Sequence, residues 1–352
     1  MKRKFSKVIG TGGIGVGMFF LTDDNRTLGR SESRLVTLSD ARDYCKLHIV
    51  FHYISTLLVP EAEVFPVGCV GADSAGERLI GEMRRAGMDT TYVSKVSEYP
   101  TAVSVCLQYP DKEGCNFTAS NGAGCAVTPD YITTCLRRIG LGPEAIVAAI
   151  PEVSMESRLE LLRFGREKGS FCVLSVAAGE AGQLKELDML RYCDLLAVNL
   201  EEAHAISGAN GNAQETARGL YEYAKQFNPE IRVLVTCGKD GAYAFDSSGM
   251  EFISAIPAAA VNTTGAGDAF LGGTIAALAL GCPFLKGHSD LRFGETALAS
   301  APELGALCAG MAVESPDSIA MQVTPEALKK RIEAENWNTK CWFAGYDSGE
   351  GR

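Results

Sequence analysis

Short apolar runs rich in β-branched residues alternate along the chain with longer segments whose apolar residues recur every three to four positions. The short runs predict buried strands, and the longer segments predict amphipathic helices. Predicted strands cover residues 7–9, 64–70, 146–150, 172–176, 195–198 and 233–237, and predicted helices cover 76–86, 156–168, 213–226 and 269–280. Because strands that alternate with helices form parallel sheets covered on both faces, this order predicts a doubly wound, mostly parallel α/β sheet.

Two segments depart from that rhythm because their apolar and polar residues alternate one by one. They lie within part of 34–54 and across 102–119, and a period of two is typical of antiparallel strands with one solvated face. We expect these strands outside the main sheet, as a small β lid over a crevice. The predicted organisation is a single α/β domain at 1–330, lid segments at roughly 15–55 and 100–120, an insertion loop at 282–303 and a C-terminal tail at 331–352.

Composition and charge narrow the classes of partner. The 352 residues are 46% hydrophobic and 22% charged, a balance that permits a large core and does not indicate disorder. The formal net charge is −10, so the overall field does not favour binding to nucleic-acid phosphates or to anionic lipid. We therefore expect a small-molecule partner, no nucleic acid and no membrane.

Cysteine and histidine usage favours ordinary core residues. The twelve cysteines stand singly without a C-x-x-C pair, which favours reduced thiols over disulfides. His48 and His52 lack both an intervening Glu and a third nearby ligand, which argues against zinc. The basic N-terminus resembles a signal peptide, but five glycines interrupt the stretch 8–21 and no cleavage site follows. We expect a buried first strand and a cytoplasmic protein.

One short turn combines the features of an anion-binding site, namely Gly265, Ala266, Gly267 and Asp268. It precedes the apolar helix predicted at 269–280, so free backbone N–H groups and the positive end of a helix dipole would surround an anion. A γ-phosphate in transfer needs such positioning and charge stabilisation. The Asp268 carboxylate could take the proton of an attacking hydroxyl. On their own, the four residues fit a loop whose Asp caps a helix at least as well.

The longer sequence Asn-Thr-Thr-Gly-Ala-Gly-Asp-Ala-Phe-Leu-Gly-Gly at 262–273 closely resembles the C-terminal signature of the ribokinase-type (PfkB) family. Three further stretches resemble family elements in the right order: Val-Gly-Ala-Asp-Ser-Ala-Gly at 70–76, Asn-Leu-Glu-Glu-Ala at 199–203 and Thr-Cys-Gly-Lys-Asp-Gly-Ala at 236–242. The resemblance extends to about residue 328. It implies a ribokinase-like fold and ATP-dependent phosphorylation of a hydroxyl on a sugar or sugar-like polyol, with a nucleoside as a lesser alternative.

The resemblance also implies roles for individual residues. The general base and the anion hole would be Asp268 with Gly265, Ala266 and Gly267. Asn199 and Glu202 would organise Mg²⁺ and phosphate through water, since Mg²⁺ prefers oxygen ligands and keeps several waters. ATP would be contacted by Thr236, Gly238, Gly241 and, in the late helix at 306–313, by Ala309. Family members often pair through their lids, so the resemblance allows a homodimer of that kind.

The acceptor side of the resemblance is incomplete. Family members carry an Asp just after the first strand that binds substrate hydroxyls, and this chain has glycine there. They also carry Gly-Gly-x-x-x-Asn before the next helix, where this chain reads Leu-Ser-Asp-Ala-Arg-Asp-Tyr-Cys-Lys at 38–46. The candidate substrate-binding residues are Gly13, Gly15, Arg42 and Asp43, with Asp40 and Lys46 nearby. They could bind an unusual, even charged, acceptor, or they could be surface charges of a lid.

Other interpretations stay open. Residues 10–15 also satisfy the dinucleotide-binding pattern G-x-G-x-x-G, although 18–25 offer no helical stripe to follow it. The more serious rival is a kinase-like protein that regulates by binding a ligand. The presence of Asp268, Asn199 and Glu202 argues against it, because a protein without catalytic activity would not need them. Asn262 stands where ribokinase has an Asp near its monovalent-cation site, so activation by potassium is in doubt.

Overall fold

The computed structural model describes residues 4–111, 114–287, 292–293 and 296–334. Its strands are β1 (Lys7–Thr11), β2 (Gly15–Leu21), β3 (Thr37–Tyr44), β4 (Glu63–Gly71), β5 (Val93–Val96), β6 (Ala102–Gln108), β7 (Gly114–Thr118), β8 (Ala145–Ala149), β9 (Phe171–Ser175), β10 (Leu195–Asn199), β11 (Arg232–Thr236), β12 (Gly241–Asp246), β13 (Gly249–Ser254), β14 (Arg292–Phe293) and β15 (Thr296–Ala297). Its helices are α1 (Lys46–Leu58), α2 (Ser74–Arg85), α3 (Pro129–Ile139), α4 (Met155–Glu167), α5 (Ala181–Glu186), α6 (Leu200–Ser207), α7 (Ala213–Ala224), α8 (Ala266–Ala279), α9 (Ala301–Ala312) and α10 (Pro325–Ala334).

The main sheet has nine strands in the order β13-β12-β11-β10-β9-β8-β1-β4-β5. Neighbouring strands from β11 to β5 run parallel, and β12 and β13 continue the sheet antiparallel at one edge. Strand β8 is buried along its whole length because helices cover both faces of the sheet. The six predicted strands match β1, β4, β8, β9, β10 and β11 to within two residues, so the predicted doubly wound sheet is confirmed.

Apolar clusters fill the space on both sides of this sheet. One cluster joins α1, α8 and α9 and includes Phe51 and Ile275. The other joins α3, α4, α6 and α7 and includes Leu161 and Leu220. Burial of so many side chains supplies the main driving force for folding and holds the strand ends in fixed positions.

Helix α8 lies unusually close to both of its neighbours in the first cluster. A Cβ atom at Gly272 would lie 2.7 Å from the Val50 carbonyl oxygen of α1. A Cβ atom at Gly273 would lie 2.9 Å from the Leu304 carbonyl oxygen of α9. Both positions therefore need glycine, and the resulting close packing fixes where α8 begins.

A separate four-stranded sheet, in the order β3-β2-β6-β7, forms the predicted lid. Its residues alternate between two faces. The inner face carries Phe19, Asp43 and Ser104, which are buried, whereas the outer face exposes Met18 and Phe117. This alternation is the period of two that the sequence shows.

Two details of the predicted lid differ from the structure. Strands β2 and β6 pair parallel, so the lid is mixed and not wholly antiparallel. The predicted segment 15–55 is strand only as far as Tyr44, because the chain from Lys46 onward forms α1. Ten of the thirteen residues of α1 are buried, so no broad polar face reveals its helical period in the sequence.

The C-terminal region matches the predictions only in part. The insertion at 282–303 contains the short strands β14 and β15, and residues 288–291 and 294–295 lie outside the described residues. The predicted tail at 331–352 begins inside α10, and residues 335–352 lie outside the described residues. In the described ranges, each helix is too short or too polar to serve as a membrane span. Cys69, Cys172 and Cys308 are buried free thiols, in line with the predicted core role.

Helix α1 buries both of its histidines. His48 is fully buried, packs edge-on against Tyr44 at 4.7 Å between ring centroids, and neither ring nitrogen has a hydrogen-bond partner in the described residues. Burial lowers the pKa of His48 to about 3 and that of His52 to about 4. No three His, Cys, Asp or Glu side chains of the described chain are arranged to hold a metal.

These histidines predict loss of stability in acid. In the unfolded chain their pKa returns to about 6.5, so between roughly pH 4 and 6.5 the unfolded state binds more protons than the folded state. The stabilisation is complete above that range and is lost as pH falls. For His48→Leu/His52→Leu, we expect the free energy of unfolding to fall less steeply, by up to about 1.4 kcal/mol per pH unit for each histidine. Urea titrations at several pH values test this. At pH 8 the histidines are neutral in both states, so the difference between the two proteins there measures the change in packing alone. Parallel slopes for both proteins would contradict it.

Candidate active site

The carboxyl ends of the central strands meet at one edge of the main sheet. Thr11 at the end of β1 pairs with Ala149 at the end of β8, and Asn199 at the end of β10 pairs with Thr236 at the end of β11. The loops that follow these strands therefore lie side by side. In open α/β sheets this edge is where ligands bind.

The predicted anion-binding turn lies at the start of α8. Gly265 has φ of +82°, and a Cβ atom there would overlap the Ser318 carbonyl oxygen, so only glycine fits. The Ala266 N–H donates to the Thr263 carbonyl oxygen at 3.2 Å. The N–H groups of Gly267 and Asp268 have no backbone acceptor in the described residues, as expected for the first turn of a helix. These two groups are the ones open to an anion.

Asp268 lies half-buried in the first turn of α8. Burial raises the pKa of Asp268, the nearby Lys46 ammonium opposes that rise, and the Asp43 carboxylate adds to it. The Lys46 Nζ atom is 4.0 Å from Asp268 Oδ1. The carboxylate therefore lies beside a cation and the open N–H groups of its own turn.

Lys46 is the first residue of α1. Its backbone N–H donates to Glu152 Oε2 at 2.9 Å, which satisfies one N–H group at the start of that helix. The Asp268 carboxylate raises the pKa of Lys46, with smaller contributions from Glu152, Glu202 and Asp43, against the effect of burial. The side chain is therefore an ammonium ion at any physiological pH.

Glu152 is the site residue that the motifs do not reveal. It follows β8 and has φ of +78°, a backbone conformation that a residue with a side chain rarely adopts. A Cβ atom at Gly13 would overlap its Oε2 atom, so glycine at 13 makes room for this carboxylate. Burial raises the pKa of Glu152, and Lys46 opposes the rise. The available signal is an acidic residue that follows soon after a fully buried strand, with Ile150 and Pro151 between them.

Asp43 lies on the inner face of the lid. Its carboxylate accepts hydrogen bonds from Ser104 Oγ at 3.3 Å and Cys106 Sγ at 3.0 Å. It also lies over Gly17, where any Cβ atom would overlap it. A Cβ atom at Gly15 would lie only 2.7 Å from a neighbouring cysteine sulfur, so that position cannot carry an acid. The lid thus supplies a carboxylate from β3, where relatives were expected to supply one from the chain after β1.

Arg42 points elsewhere. Adjacent strand residues face opposite sides of a sheet, and the Arg42 guanidinium lies 3.8 Å from Glu82 of α2. The structure therefore brings Gly13, Gly15 and Asp43 to the crevice and places the Arg42 side chain against α2.

Asn199 and Glu202 cap α6. Asn199 Oδ1 accepts the Glu202 N–H at 2.9 Å, and Glu202 Oε2 accepts the Asn199 N–H at 2.8 Å, which is a reciprocal capping box. Burial raises the pKa of Glu202, whereas the Asn199 N–H and Lys46 lower it. Glu202 Oε1 makes no hydrogen bond to a described residue. One oxygen thus holds the helix, and the other is open to water.

The residues predicted to contact nucleotide extend from the same edge. Thr236 neighbours Asn199 in the sheet, and Gly238 follows with φ of +58°. Gly241 has φ of +125° and lies against the Ile253 carbonyl oxygen, so both glycines are needed for the turn itself. Ala309 is half-buried on α9, which packs along α8.

Asn262 links the turn to two other segments. Its Nδ2 donates to the Pro316 carbonyl oxygen at 2.8 Å. Its Oδ1 accepts the Thr264 N–H at 3.0 Å and, from lid strand β6, Gln108 Nε2 at 3.2 Å. The lid is therefore hydrogen-bonded to the loop that precedes α8.

The crevice therefore combines groups suited to one class of reaction. A carboxylate beside a helix N-terminus can accept a proton while the helix stabilises a phosphoryl group. No helix follows β1, since β2 leaves directly for the lid, and this excludes the dinucleotide-binding geometry. The fold and site define a phosphotransferase that acts on an alcohol.

Comparison with known proteins agrees with this class. Residues 50–325 match the pfkB family of carbohydrate kinases, and the chain belongs to that family. It is 27% identical over 227 residues to a ribokinase of Schizosaccharomyces pombe, covering 63% of this chain and 69% of the relative.

Solved structures share the fold. A ribokinase of Giardia lamblia superposes with a TM-score of 0.77 at 17% identity, covering 94% of this chain and 99% of the other. A ribokinase of Cryptococcus neoformans var. grubii in complex with ADP gives a TM-score of 0.72 at 18% identity, covering 93% and 99%. The predicted ribokinase-like fold is confirmed.

Two glycines of the turn provide a matched pair of variants. Gly265→Ala must adopt positive φ and displace Ser318, so we expect a loss of about 2 kcal/mol or more in the free energy of unfolding. Gly267→Ala meets no atom within 4 Å in a helical position, so its effect should stay within roughly 0.5 kcal/mol. Denaturant titrations measure both. Equal stability of the two variants would contradict the described turn.

Proposed function

We propose that this protein transfers the γ-phosphoryl group of ATP to a hydroxyl of a sugar or sugar-like polyol, with Asp268 as the general base. The observation that carries the proposal is the position of Asp268, in the first turn of α8, beside two open N–H groups and across a crevice from the lid. The relatives' kinase activity supports it.

The reaction needs few covalent partners from the protein. The acceptor oxygen forms a bond to the γ-phosphorus as the bond between that phosphorus and the β,γ-bridging oxygen breaks, and ADP leaves with the electron pair. The acceptor proton passes to the Asp268 carboxylate. The N–H groups of Gly267 and Asp268, with the glycine at 265 that shapes the turn, stabilise charge on the phosphoryl oxygens.

Mg²⁺ would arrive with the nucleotide and neutralise phosphate charge. Asn199 and Glu202 fit an ion held through water. The capping box occupies Asn199 Oδ1 and Glu202 Oε2, so direct coordination by these atoms is not needed, and Glu202 Oε1 stays open to a water of the ion. The described residues provide no direct cage of three ligands. Thr236, Gly238 and Gly241 would support the phosphates and ribose, and Ala309 the adenine.

The acceptor wall favours a neutral polyol. Asp43 and Glu152 present carboxylate oxygens, which accept hydrogen bonds from hydroxyl groups and repel an anionic substituent. The backbone at Gly13 and Gly15 completes that wall, since neither position has room for a side chain. A nucleoside also presents neutral hydroxyls and stays the lesser alternative.

An activating monovalent cation is not part of the proposal. A cation needs oxygen atoms around it, whereas Asn262 directs an N–H group at the Pro316 carbonyl oxygen. That hydrogen bond joins the same two loops without an ion.

One observation favours a second candidate, a catalytically silent protein that regulates by binding a ligand. The Lys46 ammonium lies 4.0 Å from the base and could hold it inactive. A screen of ADP release across many acceptors separates the two candidates.

Replacement of the base tests the main proposal. We expect Asp268→Asn to fold normally and to lose about 10²- to 10⁴-fold in kcat, because the amide cannot accept the acceptor proton. ADP release is measured across a panel of pentoses, hexoses, polyols, nucleosides and phosphorylated sugars. Asp130→Asn serves as the matched control, since Asp130 is an exposed acid in the first turn of another helix, α3. Full turnover by Asp268→Asn would refute the assignment, and silence across the panel would favour the regulatory candidate.

We also propose that two copies pair through their lids. The outer lid face exposes Met18 at 41% and Phe117 at 65%, with Val103 between their strands, and such contiguous apolar surface is uncommon on monomers. The side chains of Val105 and Leu107 extend the same face.

A charge on this face should separate the copies. We expect sedimentation velocity to show a dimer for the native chain and a monomer for Phe117→Glu, because pairing would bury the carboxylate without a partner. Met321→Glu is the matched control, since Met321 is an exposed apolar residue outside the lid. A native monomer at all concentrations would disprove pairing.

A further inference from the structure

The gap between Lys46 and Asp268 has the size of one bridging atom. The two charged atoms are 4.0 Å apart, which is beyond a direct N–H···O hydrogen bond of about 2.7 to 3.2 Å. An oxygen atom can lie at about 2.8 Å from both of them at once. The acceptor hydroxyl must approach Asp268 to the same distance if Asp268 is to take its proton.

Lys46 has hydrogen-bonding capacity to spare at this place. Its Nζ makes no hydrogen bond to a described residue, and its side chain is 38% exposed, so the ammonium opens into the crevice. Its surroundings keep it charged, since Asp268, Glu152, Glu202 and Asp43 all raise its pKa.

The position of this lysine is unfavourable for the helix that carries it. Lys46 begins α1, where a cation opposes the helix dipole, and the first turn contains no acidic residue. The carboxylates that offset the charge at that end, those of Glu152 and Asp268 among them, come from other elements of the fold. A residue that breaks a local rule in a crevice is expected to serve the site and not the fold.

We propose that Lys46 is a second catalytic residue, which donates a hydrogen bond to the acceptor oxygen while Asp268 removes its proton. The inference rests on the proposed kinase function. As the oxygen attacks phosphorus and loses its proton, it carries negative charge, which the ammonium stabilises. Lys46 keeps all of its protons, the acceptor proton goes to Asp268, and ADP leaves with the electron pair.

Four variants test this role: Lys46→Met, Lys46→Arg, Asp268→Asn and the Lys46→Met/Asp268→Asn double variant. Lys225→Met is the matched control, because Lys225 is an exposed lysine 2.7 Å from a carboxylate on a helix away from the site. Turnover is measured with the fastest acceptor of the panel and, separately, with water as acceptor, as ADP release in the absence of sugar. Urea titrations show whether each variant folds.

We expect Lys46→Met to lower kcat about 10²-fold with either acceptor, with little change in KM for ATP. Lys46→Arg should recover part of this loss, since arginine keeps the charge and the donors. The double variant should be no slower than Asp268→Asn, because both residues act on one oxygen. Lys225→Met should match the native protein.

Other outcomes overturn the inference. If Lys46→Met retains turnover within about threefold, or turns over faster, Lys46 is at most a restraint on the base. Equal losses for Lys46→Arg and Lys46→Met would show a packing role. A failure of the underlying kinase proposal looks different, because Asp268→Asn would then match the native protein whatever Lys46 does.

Discussion

The close packing of α8 between α1 and α9 is the constraint on which the site depends. Gly272 and Gly273 bring the helix against carbonyl oxygens on both sides, so α8 cannot rotate or slide without leaving the core. Its first turn, with Asp268 and the open N–H groups, is therefore held at the carboxyl edge of the sheet. Helix α1 is fixed by the same contact, and this determines how near Lys46 comes to Asp268.

Much of this arrangement could be predicted from the sequence. Strands such as β8 and β10 are buried on both faces, so they appear as uninterrupted apolar runs. The turn at Gly265 could be recognised because glycine and acid stand at fixed spacing before an apolar helix. Local sequence carries these features directly.

The acceptor wall could not be predicted in the same way. Glu152 and Lys46 lie 106 positions apart and meet only because β8 ends beside the start of α1. Lys46 begins a helix so buried that its period is hidden in the sequence, and the positive φ of Glu152 is imposed by its neighbours and not by its own residue type. Contacts of this kind depend on the assembled fold, so hydrophobic patterns and residue propensities cannot predict them.

The lid is joined to this rigid half through its backbone. The Ser318 N–H donates to the Arg42 carbonyl oxygen at 3.0 Å, the Tyr44 N–H donates to Ser318 Oγ at 3.2 Å, and the Ser318 carbonyl oxygen lies under Gly265. These contacts divide the site into a part held by the core and a part held by the lid. The proposed nucleotide half is anchored on α8, which packs inside the hydrophobic core, whereas the proposed acceptor half is formed by strand ends and an external sheet. Engineering toward a new acceptor can therefore be confined to the inner lid face, which leaves the contacts of α8 with α1 and α9 unchanged.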